Sequence, residues 1–366
     1  MEYEEYRSPE QTPAAQSPIE PAPPVEVSAQ APPPPAPPPP PRKVSGWRIF
    51  WGVVVALSVL ANVVLFFMIV MMVSFFMSGP AELFDSRDGF GEDTLVKGPA
   101  SRKIAVIRVE GIIDGAQSEK FKKHLKAAGD DANVKAVIVR TITPGGTVSA
   151  SDQMHNAIMR FRRESGKPVV AFMQTVAASG GYYTSVACDK IIAEPTVITG
   201  SIGVILNNIV IKELLEEKLG VQPVVIKSGL KKDWPSMFSE TTEEQKQYLF
   251  DKLIGPAYER FVNLVDQGRE GLSEADVRRL ADGSIYGAEE AKDNKLIDQV
   301  GYFEDAVELT ENLAGIRGAR VVEYTRLFTI SSLLGAEAKT RPWEIDRNTL
   351  HELTAPQLMY LWDGCW

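Results

Sequence analysis

The chain has little of what metal and disulfide chemistry needs. Its 366 residues hold two cysteines, Cys188 and Cys365, and three histidines, His124, His155 and His351. The cysteines are too far apart for a CxxC pair, and the histidines show no HExxH spacing. A disulfide framework and a thiolate zinc site are therefore excluded, and a histidine-rich metal site is not expected. A basic block is lacking as well. With 39 Lys+Arg against 48 Asp+Glu the net charge is −9, which argues against nucleic acid as the main partner. No internal repeat is visible. The chemistry is expected to run without cysteine, metal or cofactor. Hydrophobic residues make up 44% of the chain, enough for a substantial core, and the length allows about two domains.

The averages conceal different stretches. Fifteen of the 25 prolines fall within residues 1–41, where branched apolar residues are nearly absent. Such a segment cannot bury enough surface to offset its ordering entropy. Residues 1–45 are expected to be a disordered tail with polyproline II character, serving as a spacer or as a docking site for a proline-binding domain. From Ile49 to Met77 no residue is charged. That run exceeds the roughly 20 apolar residues that span a bilayer, and it is too long and too far from the N-terminus for a signal peptide. Residues 46–78 are expected to be an uncleaved anchor, with Trp47, Arg48 and Trp51 at one interface. Arg42, Lys43 and Arg48 precede it, whereas Arg87 follows amid Glu82, Asp85 and Asp88. The positive-inside rule then places the tail in the cytoplasm and the remainder outside it, at a cell inner or plasma membrane.

Residues 79–101 are polar and Gly-rich and read as a linker. The folded part follows. KIAVIRVEGII from Lys103, KAVIVR (135–140), PVVAFM (168–173) and KIIAEP (190–195) are short apolar strand patterns. Helical patterns separate them, at Ser118 to Ala128 and at about Ser149 to Glu164. Strands alternating with helices predict an α/β fold with a parallel sheet and helical crossovers, and near-continuous apolar strands predict a sheet covered on both faces. Thr241 and Glu244 have capping-box spacing for a helix from 242 to about 267, which Pro256 is expected to kink. A further amphipathic helix is expected from Arg347 to Trp362.

Chemistry is expected in the loops after the strands. Pro144-Gly145-Gly146 follows one strand and feeds a helix, which leaves backbone N–H groups exposed. It reads either as an oxyanion hole or as an ordinary strand-to-helix turn. Ser179, with Gly180 and Gly181 behind it, stands where another strand gives way to a helix. It reads either as a nucleophile on a sharp elbow or as a helix N-cap. A serine nucleophile needs a base. None of the three histidines falls in a loop expected to face Ser179, and each reads as a surface or helix-face residue. A lysine can serve if burial keeps it neutral. VVIKSGLKKDWPSMF supplies Lys227, Lys231 and Lys232 near the apolar Trp234, Met237 and Phe238.

TPGG (143–146), AASGGYY (177–183), ITGSIGV (198–204), KSGLKKD (227–233) and ADGSIYGAEEAKDNKLID (281–298) occur in one order along the chain. In that order and at these spacings they resemble the signal peptide peptidase A family, membrane-anchored serine proteases of the Clp protease/crotonase superfamily. The resemblance covers about 102–310 and is to the short, single-repeat bacterial form. It implies a Clp/crotonase-like fold for that peptidase domain and leaves 311–366 as an extension of unknown role. It also implies Ser179 as nucleophile, Lys232 as general base and Ser201 as the residue that holds that lysine. The implied oxyanion donors are the backbone N–H groups of Gly180 and of Gly145 or Gly146. Family members often read Asn-Ser-Pro-Gly-Gly, where this chain has Ile142-Thr143-Pro144-Gly145-Gly146, so the loop-bracing amide is absent.

The resemblance implies a homo-oligomer whose neighbouring subunits share each active site. The implied substrates are cleaved signal peptides and other apolar or unfolded peptides at the membrane. Two alternatives stand beside this. One is a related membrane-bound peptidase acting on a specific membrane protein, and the other is a non-enzymatic scaffold of the same fold.

Overall fold

The computed structural model describes residues 46–77, 90–326 and 357–362. The expected tail (1–45), positions 79–89 of the expected linker and 347–356 of the expected C-terminal helix lie outside the described residues. The chain divides into two units, Met1–Leu83 and Phe84–Trp366. In the first, α1 (Gly46–Met77) is one helix of 32 residues. Its stretch Gly46–Met71 has a mean hydropathy of 2.9 and none of it is buried. At about 1.5 Å per residue it exceeds the roughly 30 Å of a hydrocarbon core.

The second unit opens with β1 (Phe90–Val96), β2 (Lys103–Glu110), α2 (Gly115–Asp130), β3 (Val134–Thr143), β4 (Gly145–Thr147) and α3 (Val148–Ser165). Then come β5 (Val169–Ala178), α4 (Gly180–Ser185), β6 (Lys190–Ala193), β7 (Ile198–Gly200), β8 (Ile205–Leu206), α5 (Glu243–Leu249) and α6 (Gly255–Gly268). The chain continues through α7 (Glu274–Leu280), β9 (Ile285–Gly287), α8 (Ala288–Asp293), β10 (Gln299–Val300), α9 (Phe303–Ala314), β11 (Arg320–Arg326) and β12 (Leu358–Leu361).

The main sheet runs β1-β11-β2-β3-β5-β6-β10. All neighbours from β11 to β10 are parallel, and β1 alone closes that edge antiparallel. This is the α/β architecture with helical crossovers expected from the sequence. Alternate residues of one strand enter different cores, as strand geometry requires. Ala105, Ile107 and Val109 of β2 face a core with Phe121, Leu125, Met154, Ile158, Phe261 and Val265 from α2, α3 and α6. Ile104 and Val106 face the other way, onto Ala306, Phe303 and Val307 of α9. Both faces are dry, which is why these strands read as unbroken apolar runs.

Several expectations change in three dimensions. The stretch read as a linker contains β1, which pairs with β11 from Phe90↔Arg326 to Val96↔Val321. Strand β11 lies beyond residue 310, the expected limit of the folded domain, yet pairs with β2 in the main sheet. The long helix runs unbroken from Glu243 to Gly268, as expected, but with a π-turn inside it. α5 carries its capping box on Thr242 and Gln245, one residue later than expected. A π-turn over Phe250–Ile254 follows, just before Pro256, whose ring nitrogen has no N–H to give to the helix ladder. The expected helix ending at Trp362 is contradicted at 358–361, which form β12. This strand completes a second sheet, β4-β12-β8, antiparallel throughout. Leu-Met-Tyr-Leu has no strict period of its own, so two open strand edges decided its conformation.

Candidate active site

Ser179 is the single residue between β5 and α4. Its φ of 52° and ψ of −110° lie where side chains are strained, at a cost of about 1–3 kcal/mol. Hydrogen bonds on both sides hold it there. Its N–H donates to Gly200 O (2.8 Å), and its carbonyl accepts from Tyr183 N (2.8 Å). The hydroxyl makes no capping bond to α4, so the N-cap reading of this serine is not realised. Parallel pairing sets Ala178 opposite Gly200, and the next residue along β7 is Ser201. Ser201 also has a positive φ, 49°, and its N–H donates to Ser284 O (2.7 Å). Two neighbouring strand ends thus present Ser179 and Ser201 side by side.

The Pro-Gly-Gly turn meets α4 from the other side. A Cβ added to Gly145 would lie 2.8 Å from Gly180 N, and one added to Gly180 would lie 3.1 Å from Gly146 N. Only glycine permits that approach, and Gly145 also has a φ of 111°. The Gly145 N–H is already used, donating to Thr143 Oγ1 (3.0 Å). That leaves Gly146 and Gly180 as the amides that converge there. Thr143 Oγ1 in turn donates to Gly111 O. This hydroxyl thus braces the turn, while Ile142 sits in the β2–β3 ladder opposite Glu110. Sequence reasoning missed Thr143, although a threonine two residues before a Gly-Gly turn is a usable signal for side chain-to-backbone bonding.

The three lysines separate clearly. Lys227 Nζ is paired with both Asp233 oxygens, at 2.8 and 2.9 Å. Lys231 Nζ lies over the rings of Tyr248 (4.3 Å) and Trp234 (5.3 Å). Lys232, in a one-turn 3-10 helix over Leu230–Asp233, is exposed. Among the described residues no hydrogen bond or ion pair engages its ammonium. Among the described residues no apolar niche forms around Lys232, and Trp234 lies against Lys231 instead. The same segment exposes Ile209, Leu219, Val224, Ile226 (95% exposed) and Leu230.

Comparison with known proteins identifies the lineage. A family profile described as Peptidase family S49 matches residues 161–317. An Enterococcus faecium protein that carries the name signal peptide peptidase SppA is 36% identical over 259 residues, covering 68% of this chain and 74% of that protein. The chain belongs to peptidase family S49. Protease 4 of Haemophilus influenzae is 36% identical over 228 residues, 60% of this chain and 36% of its own length. Among solved structures, a ClpP1 mutant from Listeria monocytogenes aligns over 57% of this chain and 95% of its own, at 16% identity and a TM-score of 0.37. Family S49 membership makes this chain a serine peptidase.

The two described histidines of this S49 peptidase lie on helix faces, as read from the sequence, and those faces are buried. His124 and His155 are 5% and 7% exposed. His155 meets the ring of Tyr183 edge-on (5.5 Å), and His124 packs on Phe90 and Tyr324. Burial lowers both pKa values from 6.5 to about 4, with small charge effects from Lys120 on His124 and from Asp152, Arg260 and Arg162 on His155. Neither makes a hydrogen bond to Ser179. His351 lies outside the described residues. No cluster of metal-ligating side chains occurs among the described residues.

Proposed function

We propose that this S49 peptidase is a membrane-anchored endopeptidase in which Lys232 activates Ser179. The observation that carries the reading is the strained Ser179 at a strand end, beside Ser201 and next to the converging Gly146 and Gly180 amides. Ser179 Oγ attacks a peptide carbonyl and passes its proton to neutral Lys232. The two amides receive the developing oxyanion, each donor contributing about 3 kcal/mol to the transition state. The lysine then protonates the leaving amine, and water hydrolyses the acyl-enzyme. Ser201 holds the lysine in place.

Lys232 is supplied by a neighbouring copy in this reading. It is exposed, and no partner engages it among the described residues, on a segment whose apolar side chains face outward. A homo-oligomer would bury that segment and desolvate the amine. α1 is the anchor, with the N-terminus cytoplasmic and the peptidase domain outside, and the substrates are cleaved signal peptides and other apolar peptides released at the membrane. The test is hydrolysis of a synthetic signal peptide by the detergent-solubilised full chain. Ser179→Ala and Lys232→Ala are each expected to be inactive, and mixed oligomers of the two to regain activity. Wild-type activity in Ser179→Ala rejects the nucleophile, and no recovery on mixing rejects the shared site.

A further inference from the structure

The block ADGSIYG (281–287) takes no part in the chemistry proposed above, yet it folds against Ser201. β9 pairs with β7 antiparallel, with Thr199 opposite Tyr286 and Gly200 opposite Ile285. Just beyond the ladder, Ser201 N donates to Ser284 O (2.7 Å), and Gly283 N donates to Ile202 O (3.2 Å). Gly200 and Ser201 both have positive φ, 82° and 49°. Glycine adopts such a conformation freely, whereas serine is strained in it. A Cβ added to Gly200 would lie 2.5 Å from the Tyr286 ring and 3.1 Å from Ser284 O, so the 281–287 segment closes directly onto this turn. Tyr286 is itself fixed, its hydroxyl donating to Leu280 O (3.0 Å).

One side chain holds the turn that carries the Ser284 carbonyl. Ser284 N donates to Asp282 Oδ1 (2.9 Å), across Gly283, whose φ is 90°. An aspartate that bonds the backbone two residues on makes such a turn rigid. Asp282 on one side and the β9 ladder on the other thus fix Ser284. Ser201 is buried, whereas Asp282 is exposed. Both border one cavity of about 470 Å³, so the approach to Ser201 passes this turn.

We propose that Asp282 is the positioning residue for Ser201: it holds the 282–284 turn, whose Ser284 carbonyl fixes Ser201 in the left-handed conformation that presents its hydroxyl to the incoming lysine. The inference rests on the reading of Ser201 as the residue that holds Lys232. In that reading the amine arrives from another copy, so no lysine of the same chain orients Ser201 before assembly. The orientation has to be built into the strand end, and the contacts above supply it. Asp282 does not touch the reacting atoms. It contributes an acceptor, not a charge, so asparagine can replace it and alanine cannot. Preorganisation of this kind is read in kcat and leaves KM in place.

The test uses the detergent-solubilised full chain and a fluorogenic signal peptide. Asp282→Ala is expected to lower kcat at least tenfold with KM within about twofold, and Asp282→Asn, which keeps the acceptor, to recover most of that loss. The melting temperature of Asp282→Ala should hold within about 4 °C, since one exposed bond is lost. In a Ser201→Ala background, adding Asp282→Ala should change kcat by less than about twofold, because a residue that acts through another adds nothing once that other is gone. A further tenfold loss there, or wild-type kcat in Asp282→Ala, overturns the inference. A second arm needs no hydrolysis. Hydrogen exchange read by mass spectrometry is expected to quicken at least tenfold over residues 198–204 in Asp282→Ala and to match wild type in Asp282→Asn. Unchanged exchange in the alanine variant overturns the inference even where activity falls. Full activity in Ser201→Ala rejects the role given to that serine, and the inference with it.

Discussion

Ser179 is held in a conformation that glycine adopts freely, and that separates its chemistry from its structural cost. Ser179→Ala removes the hydroxyl and keeps the strain, so melting temperature should hold within about 2 °C while hydrolysis falls to background. Ser179→Gly also abolishes hydrolysis but relieves strain of about 1–3 kcal/mol, partly offset by the about 0.5–1 kcal/mol entropy cost of glycine. A rise in melting temperature of a few degrees by calorimetry is expected, at about 2–4 °C per kcal/mol for a domain of this size. Thr143 tests the turn. Thr143→Val leaves the Gly145 N–H and the Gly111 carbonyl without their partner, at about 1–3 kcal/mol. Its kcat should fall, and Thr143→Ser, which keeps the hydroxyl, should restore it. A valine variant with wild-type kcat would separate the turn from catalysis.

At the scale of elements, α2 and α3 each bury one neutral histidine against aromatic rings. The folded state holds both pKa values near 4, whereas the unfolded chain protonates near 6.5. Between these values the unfolded state binds more protons, so stability is complete above about pH 6.5 and is lost as pH falls toward 4. Each histidine contributes on the order of 3 kcal/mol to that loss. Urea midpoints should therefore drop across this window, and His124→Phe/His155→Phe should flatten the drop. An equally steep acid limb in the double variant would assign the loss elsewhere. Asp131 and Asp298 act lower on the scale, because Lys103 and Arg269 with Lys190 hold their carboxyls below the usual range. Their contribution is present above the unfolded carboxylate pKa and disappears only at more acid pH.

At the scale of the whole molecule, apolar surface has been left for partners. α1 is exposed throughout its described side chains, and that surface is apolar. The segment around Lys232 exposes isoleucine, leucine and valine in a way that single chains in water rarely do. Ile226→Asp should shift the detergent-solubilised protein toward monomer by mass photometry and reduce hydrolysis in parallel. An unchanged assembly with full activity would mean that this surface is not the contact that completes the site.

The alternation of apolar strands with helices, the placement of Ser179 at a strand end and the glycines that let two loops approach were all legible in the sequence. Each is set by near neighbours through periodicity, backbone sterics and turn chemistry. Three features were decided only in three dimensions. That Lys227 is paired and Lys231 stacked depended on where Asp233, Trp234 and Tyr248 came to lie. The bracing of the Gly-Gly turn fell to Thr143 because Gly111, at the end of the adjacent strand, presents its carbonyl there. Residues 358–361 became a strand, not a helix turn, because β4 and β8 offered two open edges. Contacts between residues far apart in the chain leave no local pattern, so folding alone brings residues 358–361 between β4 and β8.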